Sequence, residues 1–187
     1  MSTRILALVG SLRSGSHNRQ LAETAAERAP EGVAVELFEG LGDVPFYNED
    51  VDNDADRPAA AQRLRDAAGQ ADALLLFSPE YNGTIPAVLK NAIDWLSRPY
   101  GDGALQGKPV AVVGTAFGQY GGVWAQDETR KALGIAGGAV LEDVKLSVAE
   151  SIVRFAQLHP RDDEEIAAEV GRVVEQLAEG AKQPVAA

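Results

Sequence analysis

"RILALVGSLRSGSHN", Arg4 to Asn18, ends an apolar run and at once offers three serines, an arginine and an asparagine around two glycines. A nearly continuous apolar run suits a parallel strand covered on both faces. Small hydroxyl residues, one guanidinium and a helix start directly behind such a strand suit an anion held at the strand's end. Which anion depends on the rest of the chain.

The strand-then-helix pattern recurs. Apolar runs open at Arg4 ("RILALVG"), Val33 ("VAVELFEG"), Ala73 ("ALLLFS"), Pro109 ("PVAVVGT") and Ala139 ("AVLEDVKLSV"). The first, third and fourth are almost wholly apolar, whereas the second and fifth alternate as edge strands do. Between them lie helical stripes: Leu21 with Ala25, Ala61 with Leu64 and Ala68, Ile85 to Leu96, Trp124 to Leu133, and Ile166 to Leu177. This alternation predicts one α/β domain over residues 1–187, a doubly wound five-stranded parallel sheet in the order 2-1-3-4-5 with helices on both faces. Residues from about 181 to 187 are expected to be a flexible tail. In such a sheet ligands sit beyond the carboxyl ends of the strands, where the loops after strands one, three and four meet.

Those loops are chemically distinctive. In the first, Gly10 and Gly15 have Walker A spacing, but Ser16 and His17 stand where Lys and Ser/Thr belong. A dinucleotide loop fails too, because Leu12 occupies the place of the second glycine. What remains fits one terminal phosphate, with Ser11, Ser16 and Asn18 as donors and Arg13 pairing with the dianion. Ser16 or Asn18 also reads as a simple helix cap, which is compatible with that role. His17 is expected on the helix surface. The second loop, in "SPEYNGTIPAVLKNAIDWLSRP" from Ser78 to Pro99, turns at Asn82-Gly83 and starts a helix near Thr84 and Pro86 without a hairpin. Its N–H groups and the Tyr81 ring suit the polar edge of a flat, nitrogen-rich heterocycle, although Glu80 and Tyr81 also fit an ordinary connection. The third, "GTAFGQYGG" from Gly114 to Gly122, has four glycines in nine residues. There Thr115 and the N–H groups from Phe117 to Gly122 can hold the far edge of the same ring system.

Composition closes off other chemistries. With no cysteine and only His17 and His159, thiol nucleophiles, Fe–S clusters and multi-histidine metal centres are excluded. The formal net charge of −11 repels phosphate backbones and argues against nucleic acid as a partner. No apolar run is long enough to span a bilayer and no signal-peptide pattern opens the sequence, so a cytoplasmic protein without a membrane partner is expected. "NEDVDNDADR" places Asp50, Asp52 and Asp54 at calcium-loop spacing, but Ala55 and Ala61 stand where glycine and the bidentate glutamate are required. No metal site is expected.

Taken together, "GSLRSGSHN", "SPEYNGTIPAVLKNAIDWLSRP" and "GTAFGQYGG" resemble the NADPH-dependent FMN reductase family of flavodoxin-like proteins, which includes chromate and quinone reductases and some azoreductases. "DVPFYNEDVD" resembles that family's loop after strand two. The resemblance implies noncovalent FMN, its phosphate on Ser11, Arg13, Ser16 and Asn18 and its isoalloxazine on Pro79, Glu80, Tyr81, Asn82 and Gly83. The pyrimidine end is then near Thr115, Gly118 and Gly121. It further implies NADPH or NADH as co-substrate, small-molecule electron acceptors, and a homodimer or homotetramer. No catalytic side chain is assigned, because flavin N5 carries the chemistry. Arg13, Arg98 and Lys108 are the cations considered for the NADPH 2′-phosphate. The alternatives are a flavodoxin-type electron carrier and a flavin-binding regulatory protein with little turnover.

Overall fold

The computed structural model describes residues 2–183. Of the expected tail, residues 184–187 lie outside the described part, and a helix runs through Gly180. Five strands, β1 (Thr3–Val9), β2 (Val33–Leu37), β3 (Ala73–Phe77), β4 (Pro109–Thr115) and β5 (Ala139–Val148), form one parallel sheet in the order β2-β1-β3-β4-β5. The expected topology is the observed one. β2 stops three residues short of the apolar run that suggested it, and β4 and β5 lose register between Val110 and Val112.

The period of two along a strand divides the core. In β1, Ile5, Ala7 and Val9 face helices α1 (His17–Glu27) and α6 (Glu164–Gly180), while Leu6 and Leu8 face the other layer. That second layer is α2 (Ala59–Gln70), α3 (Ala87–Leu96) and α4 (Val123–Ile135). A single turn, α5 (Ser151–Arg154), follows β5 and lacks any counterpart in the sequence reading. The apolar stripe of α3 is buried, with Leu89, Trp95 and Leu96 fully enclosed.

Polar side chains on α3 pin the long connection that follows β2. Asn91 Nδ2 donates to the carbonyls of Val44 and Pro45, and its Oδ1 accepts from the Tyr47 N–H at 2.8 Å. Trp95 Nε1 donates to the Pro45 carbonyl as well. Further along, Asp52 turns inward, away from any calcium-like arrangement. Arg65 reaches both of its oxygens at 2.7 Å, Arg57 reaches one at 3.0 Å, and Arg65 Nε holds the Trp95 carbonyl. Hydrogen bonding from Arg65, reinforced by Arg57 against the opposing effect of burial, keeps the Asp52 carboxyl below the usual carboxylate range.

At the carboxyl edge of the sheet one side chain ties two distant segments. The Asn18 carboxamide accepts from the Thr115 N–H at 3.0 Å and donates to the Thr115 carbonyl at 2.9 Å. Both residues are buried. The head of α1 is thereby fixed to the end of β4.

Two outcomes follow from these ties. Replacing Asp52 by Asn removes a buried charge from between two arginines and should cost about 3 kcal/mol in urea unfolding at neutral pH. Because the folded-state pKa is depressed, that contribution exists above the unfolded value and disappears as pH falls through the folded one. The gap between wild type and Asp52→Asn should therefore narrow below about pH 4, and an equal gap in acid would contradict the clip. Replacing Asn18 by Ala strands a buried N–H and carbonyl on Thr115, and urea unfolding should register a loss of about 2 kcal/mol.

Candidate active site

The connection leaving β1 runs through α1 to β2 on one side, whereas the one leaving β3 runs through α3 to β4 on the other, so the loops after β1 and β3 diverge at their carboxyl ends. A cleft of about 280 Å³ opens there. Its walls come from three stretches far apart in sequence: Ser11 to Asn18, Pro79 to Tyr81, and Thr115 to Gly118, with Ser151 from α5 closing one end. Of the residues expected at the site, Ser11, Arg13, Ser16, Asn18, Pro79, Glu80, Tyr81, Thr115 and Gly118 all line it. Asn82, Gly83 and Gly121 do not.

The first loop presents donors at the head of a helix. Ser16 caps α1, its hydroxyl accepting from the Arg19 N–H at 3.3 Å, and the helix begins at His17. The N–H groups of His17 and Asn18 are in the first turn, where no carbonyl one turn earlier can receive them. Arg13 is exposed, with its guanidinium only loosely bonded to the Ser14 carbonyl at 3.5 Å. Asn18 differs from the simple donor expected of it, because its side chain is engaged with Thr115 and only its backbone N–H and one amide proton are left.

The second loop corrects the sequence reading. Asn82 and Gly83 both have positive φ, 55° and 74°, and Tyr81 pairs with Thr84 across them. They form a minimal two-residue hairpin of the kind that Asn-Gly favours. The helix starts only at Ala87, after Pro86. Tyr81 is half exposed, and its hydroxyl approaches Ser11 Oγ at 3.4 Å across the mouth of the cleft. Glu80 has a structural engagement: its Oε2 accepts the Ala125 N–H at 3.1 Å, placing a carboxylate on the first turn of α4.

In the third loop Thr115 is buried, and its hydroxyl donates to the Val148 carbonyl at 2.6 Å. Among the described residues the N–H groups of Phe117 and Gly118 have no backbone partner, whereas that of Ala116 bonds to Val148. Gly121 sits behind the loop at φ 63°, and a Cβ there would lie 2.8 Å from the Ser147 backbone. Its glycine is thus explained by packing against β5.

Three further residues lie elsewhere than the sequence suggests. His17 is half-buried, not a surface residue. Its ring meets Phe155 edge-on at 5.5 Å, and it faces the cleft. Lys108 lies at the opposite end of the sheet, before β4, where Nζ donates to the Ala71 carbonyl. Arg98 packs over the Tyr47 ring, so Arg13 is the cation of the three that reaches the cleft. Nothing in the sequence linked Phe155 or Ser151 to this site.

Comparison with known proteins gives the family and the fold. The sequence pattern of a family described as NADPH-dependent FMN reductase matches residues 3–152. A quinone reductase of Pseudomonas putida is 45% identical over 129 residues, covering 69% of this chain and 68% of that protein. A 2-hydroxy-1,4-benzoquinone reductase of a Burkholderia species is 42% identical over 130 residues, covering 70% and 69%. Among solved structures, the flavoenzyme NAD(P)H:(acceptor) oxidoreductase FerB of Paracoccus denitrificans superposes with a TM-score of 0.82 at 31% identity, covering 96% of this chain and 97% of that one. No helix among the described residues is long and apolar enough to cross a membrane. Fold, three-loop cleft and sequence pattern converge: the chain belongs to the NADPH-dependent FMN reductase family and is an FMN-dependent NAD(P)H oxidoreductase.

Proposed function

We propose that FMN binds in this cleft with its phosphate on the loop from Ser11 to Asn18, and that the enzyme reduces quinones with NAD(P)H. The observation that carries the reading is the gathering of three sequence-distant loops into one cleft, with hydroxyl, guanidinium and first-turn N–H donors at one end. That donor set fits a terminal phosphate. FMN, when bound, supplies the hydride-carrying chemistry between NAD(P)H and the acceptor.

The chain's own part is binding, orientation and charge. Ser11, Arg13, Ser16 and the N–H groups of His17 and Asn18 hold the phosphate. Pro79, Glu80 and Tyr81 would flank the ring system, with Tyr81 at the mouth, and Asn82 and Gly83, outside the cleft wall, turn the loop that carries them. The N–H groups of Phe117 and Gly118, without a backbone partner among the described residues, would meet the pyrimidine edge and stabilise negative charge there. Gly121 acts indirectly, by letting this loop lie against β5. No side chain has to move a proton to the reacting atoms: Glu80, the acid in the cleft wall, is held by the Ala125 N–H.

Quinones are the first acceptors to test, since the similar proteins of Pseudomonas putida and Burkholderia are named for quinone reduction. An exposed cleft mouth also suits chromate, azo compounds and free flavin. A homodimer or homotetramer is supported by the face between α3 and α4, where Tyr100 is 92% and Ile135 79% exposed beside a second groove. A cytoplasmic location fits a chain without cysteine that draws on NAD(P)H.

Purified protein loaded with FMN should oxidise NADPH or NADH when a benzoquinone is supplied. Failure with both nicotinamides would move the reading to an electron carrier or a regulatory flavoprotein. Arg13→Ala should weaken FMN about tenfold or more, the worth of a charge-assisted bond, and leave riboflavin affinity unchanged. Fluorescence titration measures both, and unchanged FMN affinity would place the phosphate elsewhere.

A further inference from the structure

One titratable side chain in the cleft has no part in the assignment above. His17 opens α1, directly after the Ser16 cap, and shares the cleft wall with Ser11, Arg13 and Ser151. Its Nδ1 is sealed from solvent and has no partner among the described residues. Phe155 holds the ring edge-on from behind. With Nδ1 closed off, Nε2 is the nitrogen left to meet a ligand.

We propose that His17 is a further phosphate-binding residue, whose imidazole takes up a proton from solvent when the phosphate of FMN seats, so that FMN binds more tightly as pH falls. The proposal rests on the phosphate placement given under the proposed function.

Electrostatics sets the direction. Burial first, and the Arg13 charge second, hold the His17 pKa below the ordinary histidine value. Without an anion the ring is therefore neutral at neutral pH. A phosphate dianion beside Arg13 offsets that repulsion and adds attraction of its own, which raises the pKa. The remaining charged groups on the elements around this end of the cleft are engaged or solvated. Glu80 bonds to the Ala125 N–H, and Arg154 is paired with Asp163 and Glu165. On α1 itself Glu23 pairs with Arg19, and Glu150 at the head of α5 is exposed. Arg13 and the incoming phosphate are left to decide the proton.

Because the pKa is raised on binding, the added affinity is complete below the pKa of the free protein. It vanishes as pH climbs through the pKa of the complex. Each unit between the two is worth about tenfold in affinity.

The chain has two histidines, so its imidazole proton NMR spectrum is simple, and His17→Phe, which keeps a ring against Phe155, assigns it. On saturation with FMN the His17 midpoint should rise by about one unit or more, and saturation with riboflavin should not move it. The ratio of FMN affinities, wild type over His17→Phe, should grow as pH falls from about pH 8.5 to about pH 5.5, severalfold over that range and towards about tenfold for each unit of midpoint rise. Protonation of the phosphate itself is common to both proteins and cancels. An unchanged midpoint with FMN, while Arg13→Ala still weakens FMN, would overturn the proposal and leave His17 a packing residue. If Arg13→Ala has no effect either, the phosphate placement falls and the role of His17 falls with it.

Discussion

The Asn18 carboxamide bonds to both the N–H and the carbonyl of Thr115, and the cleft takes its shape from that tie. It joins the start of α1 to the end of β4 across a gap of almost a hundred residues in sequence. The loop after β1 is thereby held open between Ser11 and Ser16, and the loop after β4 leaves the sheet at a fixed point. A buried amide pair of this kind costs free energy whenever either partner is left alone, so it resists rearrangement.

The remaining devices at the site act in the same direction. Glu80 receives the Ala125 N–H, which couples the loop after β3 to the first turn of α4. Thr115 also donates to Val148, and Gly121 lets the third loop press against the backbone of β5. Polar side chains that read as ligand contacts in sequence are thus partly engaged in holding the three loops to one another. Binding can then fall to backbone N–H groups, hydroxyls and one exposed guanidinium. Such a preformed set of donors suits a cofactor that brings its own redox chemistry.

The sheet was legible because two simple signals coincide. Doubly covered strands are continuously apolar, as in "ALLLF", and the helices between them keep a regular stripe. The cleft was legible because its three loops are short, punctuated by glycine and placed after the central strands. What escaped depends on distance in the chain. Phe155 meets His17 only through the fold, and no local pattern announces that contact. Asn18 did carry a signal: it heads the same helical stripe as Leu21, Ala22 and Ala25, all of them buried. A polar residue on a buried stripe has to be satisfied internally, which points to a structural partner before a ligand. Asn82-Gly83 was likewise a hairpin signal, overridden in the reading by the helix that follows so closely.

The central claim is that one cleft, formed by the ends of β1, β3 and β4, grips FMN by its phosphate and leaves the reactive edge of the ring accessible. A crystal structure of the protein grown with FMN tests it most directly. The account predicts phosphate oxygens within hydrogen-bonding distance of Ser11, Arg13 and the first turn of α1, with the ring system between Tyr81 and Gly118. A flavin seated in the groove between α3 and α4, or one whose phosphate points away from α1, would contradict it.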